Sequence, residues 1–165
     1  MSTTTEKSKP TAQTISPAEL LEHWQGHRGL TRRVIEAFPD DAFFTYTIGG
    51  MRPFAEMVME MMAIGAPALR EIITGEQLDL REHFDHGNSK AKILEVWDQQ
   101  TEEINEFFNQ ILLERFQETV TLFGQFTFPI WSQIAYAIDN EIHHRGQAYV
   151  YLRSLGIAPP LFYER

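Results

Sequence analysis

The sequence has no cysteine in its 165 residues. Disulfide bonds, thiolate metal ligands and a catalytic thiol of its own are therefore excluded, and cytoplasm is the default expectation for compartment. Long apolar runs are also missing. Each hydrophobic segment is interrupted by Glu, Arg or Asp well before the roughly 18 residues that a membrane span requires, so no membrane crossing is expected. The opening "MSTTTEKSKPTAQT" lacks the apolar stretch of a secretory signal. Basic residues are scarce as well: 14 Lys and Arg stand against 23 Asp and Glu, for a net charge of −9. Phosphate backbones are gripped by clustered Lys and Arg, and no basic tract here exceeds a pair, so nucleic acid is not an expected partner. There is no Gly-rich phosphate loop and no internal repeat.

What the chain does have is apolar residues, 43% of the total, enough for one buried core in one domain. Residues 1–15 are Thr, Ser, Lys and Pro, too polar to bury, and read as a disordered tail ahead of a domain spanning residues 16–165. Ser16, Pro17 and Glu19 make a capping-box helix start. From there Leu20, Leu21, Trp24, His27, Thr31, Val34 and Ile35 recur at helical spacing up to Pro39. "PDDAFFTYTIGG" breaks the period and reads as a loop. A second helix is expected over residues 51–74, kinked at Pro67, and a third from Ser89 through Ile93, Trp97, Ile104 and Phe108. Val120, Leu122, Phe126 and Phe128 alternate around Gly124, which suggests a short hairpin or extended crossover. The fourth helix covers residues 129–155 and stops at Gly156. Four long helices in one small chain predict an all-α four-helix bundle with a long crossover between the third and fourth.

Polar residues on inward faces carry whatever chemistry such a bundle has. On a wheel of the fourth helix, Trp131, Ile134, Ile138, Ile142 and Tyr149 form one stripe, and Asn140, His144, Gln147 and Tyr151 form a row nearly opposite. That row is bordered by Ala137, Ala148 and Tyr136. A helix apolar on two sides packs on two sides, one toward the bundle and one toward a partner subunit, and the wheel leaves open which is which. In the Met-rich second helix, Arg52 is an i,i+4 partner for Glu56, whereas Glu60 has no basic neighbour three or four positions away.

"NEIHHRGQAYVYLRSLGIAPP" resembles the signature of the DinB/YfiT-like superfamily: a His, two residues, His-His-Arg-Gly-Gln, an apolar stretch, "LR", a Gly and a Pro. "GGMRPFAEMVMEM" is similar to the segment that supplies that superfamily's first ligand histidine. The resemblance implies a homodimeric bundle holding a divalent metal through one side chain of the second helix and two, four residues apart, of the fourth. Some members are thiol-dependent S-transferases or isomerases; the damage-inducible branch has no settled reaction.

Of the three expected histidines this chain keeps the last, His144; Asn140 occupies the second position, and Glu60, or in another register Glu56, the first. Carboxylate, amide oxygen and imidazole together suit Zn, Ni or Mn. The alternative is a decayed site in which Asn140 and His144 form a hydrogen-bonded pair. His143 points about 100° away from His144. Arg145 and Gln147 are expected to tie the bundle together, with Gly146 allowing close helix approach. His23 and His27 have a chelating i,i+4 spacing but are read as structural, while His83 and His86 read as solvated. Two functions follow. One is a stress- or damage-linked metal enzyme of the thiol-dependent S-transferase or hydrolase type, acting on a small-molecule or thiol substrate. The other is a non-catalytic dimer that binds a small ligand or partner, its metal site structural or decayed.

Overall fold

A computed structural model describes residues 14–165. The proposed tail is thus almost wholly outside the described residues. Five α-helices, a 3-10 turn and a two-stranded hairpin follow in order: α1 Pro17–Ala37, α2 Asp40–Thr45, α3 Phe54–Thr74, α4 Lys90–Phe108, the 3-10 turn Leu113–Gln117, β1 Thr119–Leu122, β2 Phe126–Pro129 and α5 Ile130–Ser154. The four long helices form the expected bundle, in which α1 and α3 each pack against both α4 and α5.

Local chemistry sets the helix ends. The Ser16 hydroxyl accepts from the Glu19 amide and the Glu19 carboxylate accepts from the Ser16 amide, the reciprocal pair of a capping box. Ser89 likewise accepts from the Lys92 amide to open α4. The segment expected to be a loop contains α2: Pro39 precedes it and Asp40 and Asp41 fill its first turn, where carboxylates favour the N-terminal end of a helix dipole. Helix α3 starts at Phe54, three residues later than expected: Pro53 is its N-cap, and a proline disfavours helical backbone in the residue before it. It then runs through Pro67 without interruption.

Two apolar clusters fill the bundle. One gathers Trp24, Leu69, Ile104, Phe108 and Ile134 at the hairpin end; the other gathers Val34, Phe38, Phe54, Met57 and Trp97 beside α2. The wheel of α5 is corrected by burial. Ile134 and Ile138 are core, as are His144 and Tyr151 from the opposite row, whereas Trp131 is 47% and Ile142 38% exposed. Buried Glu141 and Arg145 link the two rows into one broad inward arc, so hydrophobicity alone misplaces its centre.

The crossover is a hairpin with Val120 opposite Phe128 and Leu122 opposite Phe126. At its tip Phe123 and Gly124 both have left-handed backbone, φ 54° and 65°. Such a tip suits the twist of a tight hairpin but strains Phe123 by about 1–2 kcal/mol. Glu71 offsets that strain. Its buried carboxylate accepts the Phe123 amide at 3.0 and 3.1 Å and the Leu78 amide at 3.4 Å. One side chain of α3 thereby fixes both the hairpin and the segment that follows α3.

Candidate functional site

Helices α3 and α5 bring together the three residues singled out in the sequence. Glu60 Oε1 accepts from Asn140 Nδ2 at 2.8 Å and faces His144 Nε2 at 3.1 Å. The second Glu60 oxygen accepts from the Arg52 guanidinium. Arg52 therefore pairs with Glu60 and not with Glu56, a correction that follows from its place outside the helix, where the i,i+4 geometry does not apply. Burial alone would raise the Glu60 carboxyl, but hydrogen bonds from Arg52, Asn140 and His144 outweigh it and hold the pKa at about 2. Glu60 is an anion at any physiological pH.

A metal ion would need the same lone pairs. His144 Nδ1 lies 2.7 Å from Gln147 Oε1, an acceptor, and Nε2 faces a carboxylate, also an acceptor. Both ring nitrogens thus already face other side chains, while coordination requires one that is bare and free. Asn140 offers Glu60 its amino group, and its buried Oδ1 is left without a partner, an omission that costs about 1–3 kcal/mol. As arranged, Asn140 and His144 turn toward Glu60 and form a hydrogen-bonded cluster with it. Among the described residues no group of three His, Cys, Asp or Glu side chains could hold a metal ion. The reading as a thiol-dependent metal S-transferase or hydrolase is thereby corrected: the chain has no cysteine, and the described residues hold no such cluster to activate a bound water or thiol.

Beside the cluster lies a cavity of about 380 Å³. Glu60, Ile64 and Ala68 follow one another at four-residue steps along α3 and make its floor. The hairpin aromatics Phe126 and Phe128, with Tyr136 of α5, line it from the other side, and Glu82 contributes from the connection after α3. Gln133 spends its Nε2 on the Phe126 carbonyl at 2.8 Å, which couples the hairpin to α5. The Glu71 anchor on Phe123, also in the lining, sets where the hairpin stands.

A model of the DinB family matches residues 1–165, the whole chain. The chain belongs to the DinB family. Two solved structures share the fold. A DinB-like protein from Bacillus cereus is 16% identical with a TM-score of 0.70, over 88% of this chain and 97% of its own. A DinB-like protein from Bacillus subtilis is 18% identical with a TM-score of 0.68, over 88% and 98%. No curated protein matches the sequence significantly.

In this DinB-family chain a second polar network, on the α1 side of α5, was not anticipated. Glu141 is buried and accepts from the Thr31 hydroxyl at 2.6 Å, with Arg28 and Arg145 each 3.9 Å away. Burial pushes its carboxyl up, opposed chiefly by Arg28. The Arg28 guanidinium lies 3.4 Å from the Trp97 ring centroid and donates to the Trp97 carbonyl at 2.9 Å. Arg145 Nη2 donates to His27 Nδ1 at 2.8 Å. The other ring nitrogen, Nε2, faces His23 Nε2 at 3.2 Å and Arg165 Nη1 at 3.3 Å. Burial first, then Arg145, lowers the His27 pKa to about 3. The i,i+4 spacing of Glu141 and Arg145 was the available sequence signal for this network.

The remaining candidates are peripheral. His143 and His83 are exposed, and His86 stacks on Phe44 with ring centroids 5.3 Å apart. Gly146 is exposed, and a Cβ there would meet nothing within 4 Å, so no helix of the same chain approaches it.

Proposed function

We propose that this DinB-family protein is a non-catalytic, dimeric small-molecule binder in which the family's metal position is filled by the Glu60–Asn140–His144 hydrogen-bonded cluster. The observation that carries the reading is that Glu60 is at once the hub of that cluster and a wall of the 380 Å³ cavity. A hydrogen-bonded cluster across α3 and α5 rigidifies that wall, and the space beside it has the size and apolar lining of a ligand site. Dimerisation is supported by the exposed apolar residues Trp131, Ile142 and Val150 on α5, with bare Gly146 among them. A cytoplasmic, stress-associated setting accompanies the reading from the family.

Calorimetric titration of protein purified without a His tag tests it. With Zn, Ni or Mn, the expected result is no binding tighter than about millimolar. A neutral aromatic probe, naphthylmethanol, is expected to bind with a Kd on the order of 0.1 mM, and Ala68→Leu, which fills the cavity floor, to weaken it at least ten-fold. Micromolar metal binding lost in His144→Ala, or no probe binding, overturns the proposal.

A further inference from the structure

The cavity's charged groups are of one sign. The ionisable residues with carboxyl groups in its lining are Glu60 and Glu82, and no Lys, Arg or His accompanies them. The two differ in what they have left to give. Glu60 is paired with Arg52 and hydrogen-bonded within its cluster, whereas the Glu82 carboxylate makes no hydrogen bond or ion pair among the described residues and is only partly exposed. Gln133 has committed its amide hydrogens to the hairpin, so its remaining capacity is its acceptor oxygen. A ligand anion would therefore find no fixed cation here, only the Ser132 and Tyr136 hydroxyls, and a ligand donor would find acceptors, one of them charged.

The apolar part of the lining has the same preference. Phe126, Phe128 and Tyr136 are 41%, 53% and 58% exposed, so their ring faces are open to a ligand. Aromatic faces carry negative potential and attract ammonium groups, more strongly where water is displaced. The net charge of −9 adds a long-range field of the same sign that concentrates cations. The volume is about two and a half times that of a cavity that takes benzene, which leaves room for about 15 non-hydrogen atoms. We propose, resting on the ligand-binding reading above, that the cavity selects hydrophobic cations: protonated or quaternary amines with an aromatic or branched apolar body, the ammonium set against Glu82 and the body against Phe126, Phe128 and Tyr136.

Three probes of matched shape test this on the full chain: naphthylmethylammonium, naphthylmethanol and naphthoate, titrated by calorimetry at neutral pH. The cation is expected to bind at least ten-fold more tightly than the alcohol, and the anion at least ten-fold more weakly. Raising salt to about 0.5 M should shrink the cation's advantage, because the Glu82 charge is partly exposed. Glu82→Gln, with its fold checked by circular dichroism and melting, should bring cation and alcohol to within about two-fold of each other. A cation that binds no better than the alcohol overturns this inference and leaves the ligand-binding reading standing; failure of all three probes overturns both. A cation preference undiminished in Glu82→Gln refutes the assignment to that carboxylate.

Discussion

Replacing Glu71 with alanine tests whether one buried carboxylate holds the hairpin in place. The Phe123 amide donates to it at 3.0 and 3.1 Å and the Leu78 amide at a marginal 3.4 Å. A bond to a charged acceptor contributes about 1.5–3 kcal/mol, and an amide left buried without a partner adds to the loss. Against this, release of Phe123 from left-handed backbone returns about 1–2 kcal/mol. The net cost is therefore about 2 kcal/mol. If the hairpin unfolds with the bundle, the melting temperature should drop by about 5 °C. If it opens on its own, amides of residues 119–129 should exchange about 30-fold faster while the melting temperature holds. Hydrogen exchange read by mass spectrometry, beside a thermal melt, separates the two cases. Either way, naphthylmethanol binding should weaken, since the hairpin lines the cavity. Glu71→Gln keeps one acceptor and should lose about half as much. A Glu71→Ala protein with wild-type melting and wild-type exchange over the hairpin would refute the reasoning.

Two other outcomes follow from burial. His27 has a folded pKa of about 3, below the ordinary 6.5, so as pH falls the unfolded chain takes up its proton first. The stability it supports is complete above about pH 6.5 and declines by about 1.4 kcal/mol per pH unit below that, down to about pH 3; urea midpoints at pH 7 and 5 should therefore converge in His27→Gln relative to wild type. On α5, Ile142→Glu and Val150→Glu alter exposed positions and should give folded monomers by light scattering, whereas Ile138→Glu, at 4% exposure, should unfold the bundle; a wild-type monomer at micromolar concentration counts against the dimer.

The helices were legible because their signals are local. Ser16 and Ser89 lie one residue before the helices they cap, and apolar residues three and four apart mark the inward faces of α1, α3 and α4. The meeting of Glu60, Asn140 and His144 was legible only through resemblance, since no local rule pairs residues 80 apart. What escaped were contacts fixed by the tertiary fold. Helix α2 is too short to show a period. Glu71 has no sequence neighbour that betrays a bond to Phe123, 52 residues on. In α5 the charged pair Glu141 and Arg145 faces inward, so a wheel weighted by hydrophobicity treats the core side as solvent.

The placement of Arg52 shows how a substituted site can remain stable without an ion. A carboxylate at the first ligand position brings a charge that a histidine would not, and half-buried charge is costly unless it is paired. Arg52 lies ahead of the Pro53 N-cap, off the helix, and from there its guanidinium reaches the Glu60 oxygen that the α5 residues leave free. Asn140 and His144 donate to the other. Three donors from two directions thus compensate the anion, and hydrogen bonds close the α3–α5 contact. Restoring imidazole at Asn140 alone would leave Arg52 competing for Glu60 and His144 tied to Gln147. The polar neighbours, and not the missing histidines alone, now define what this wall of the cavity can do.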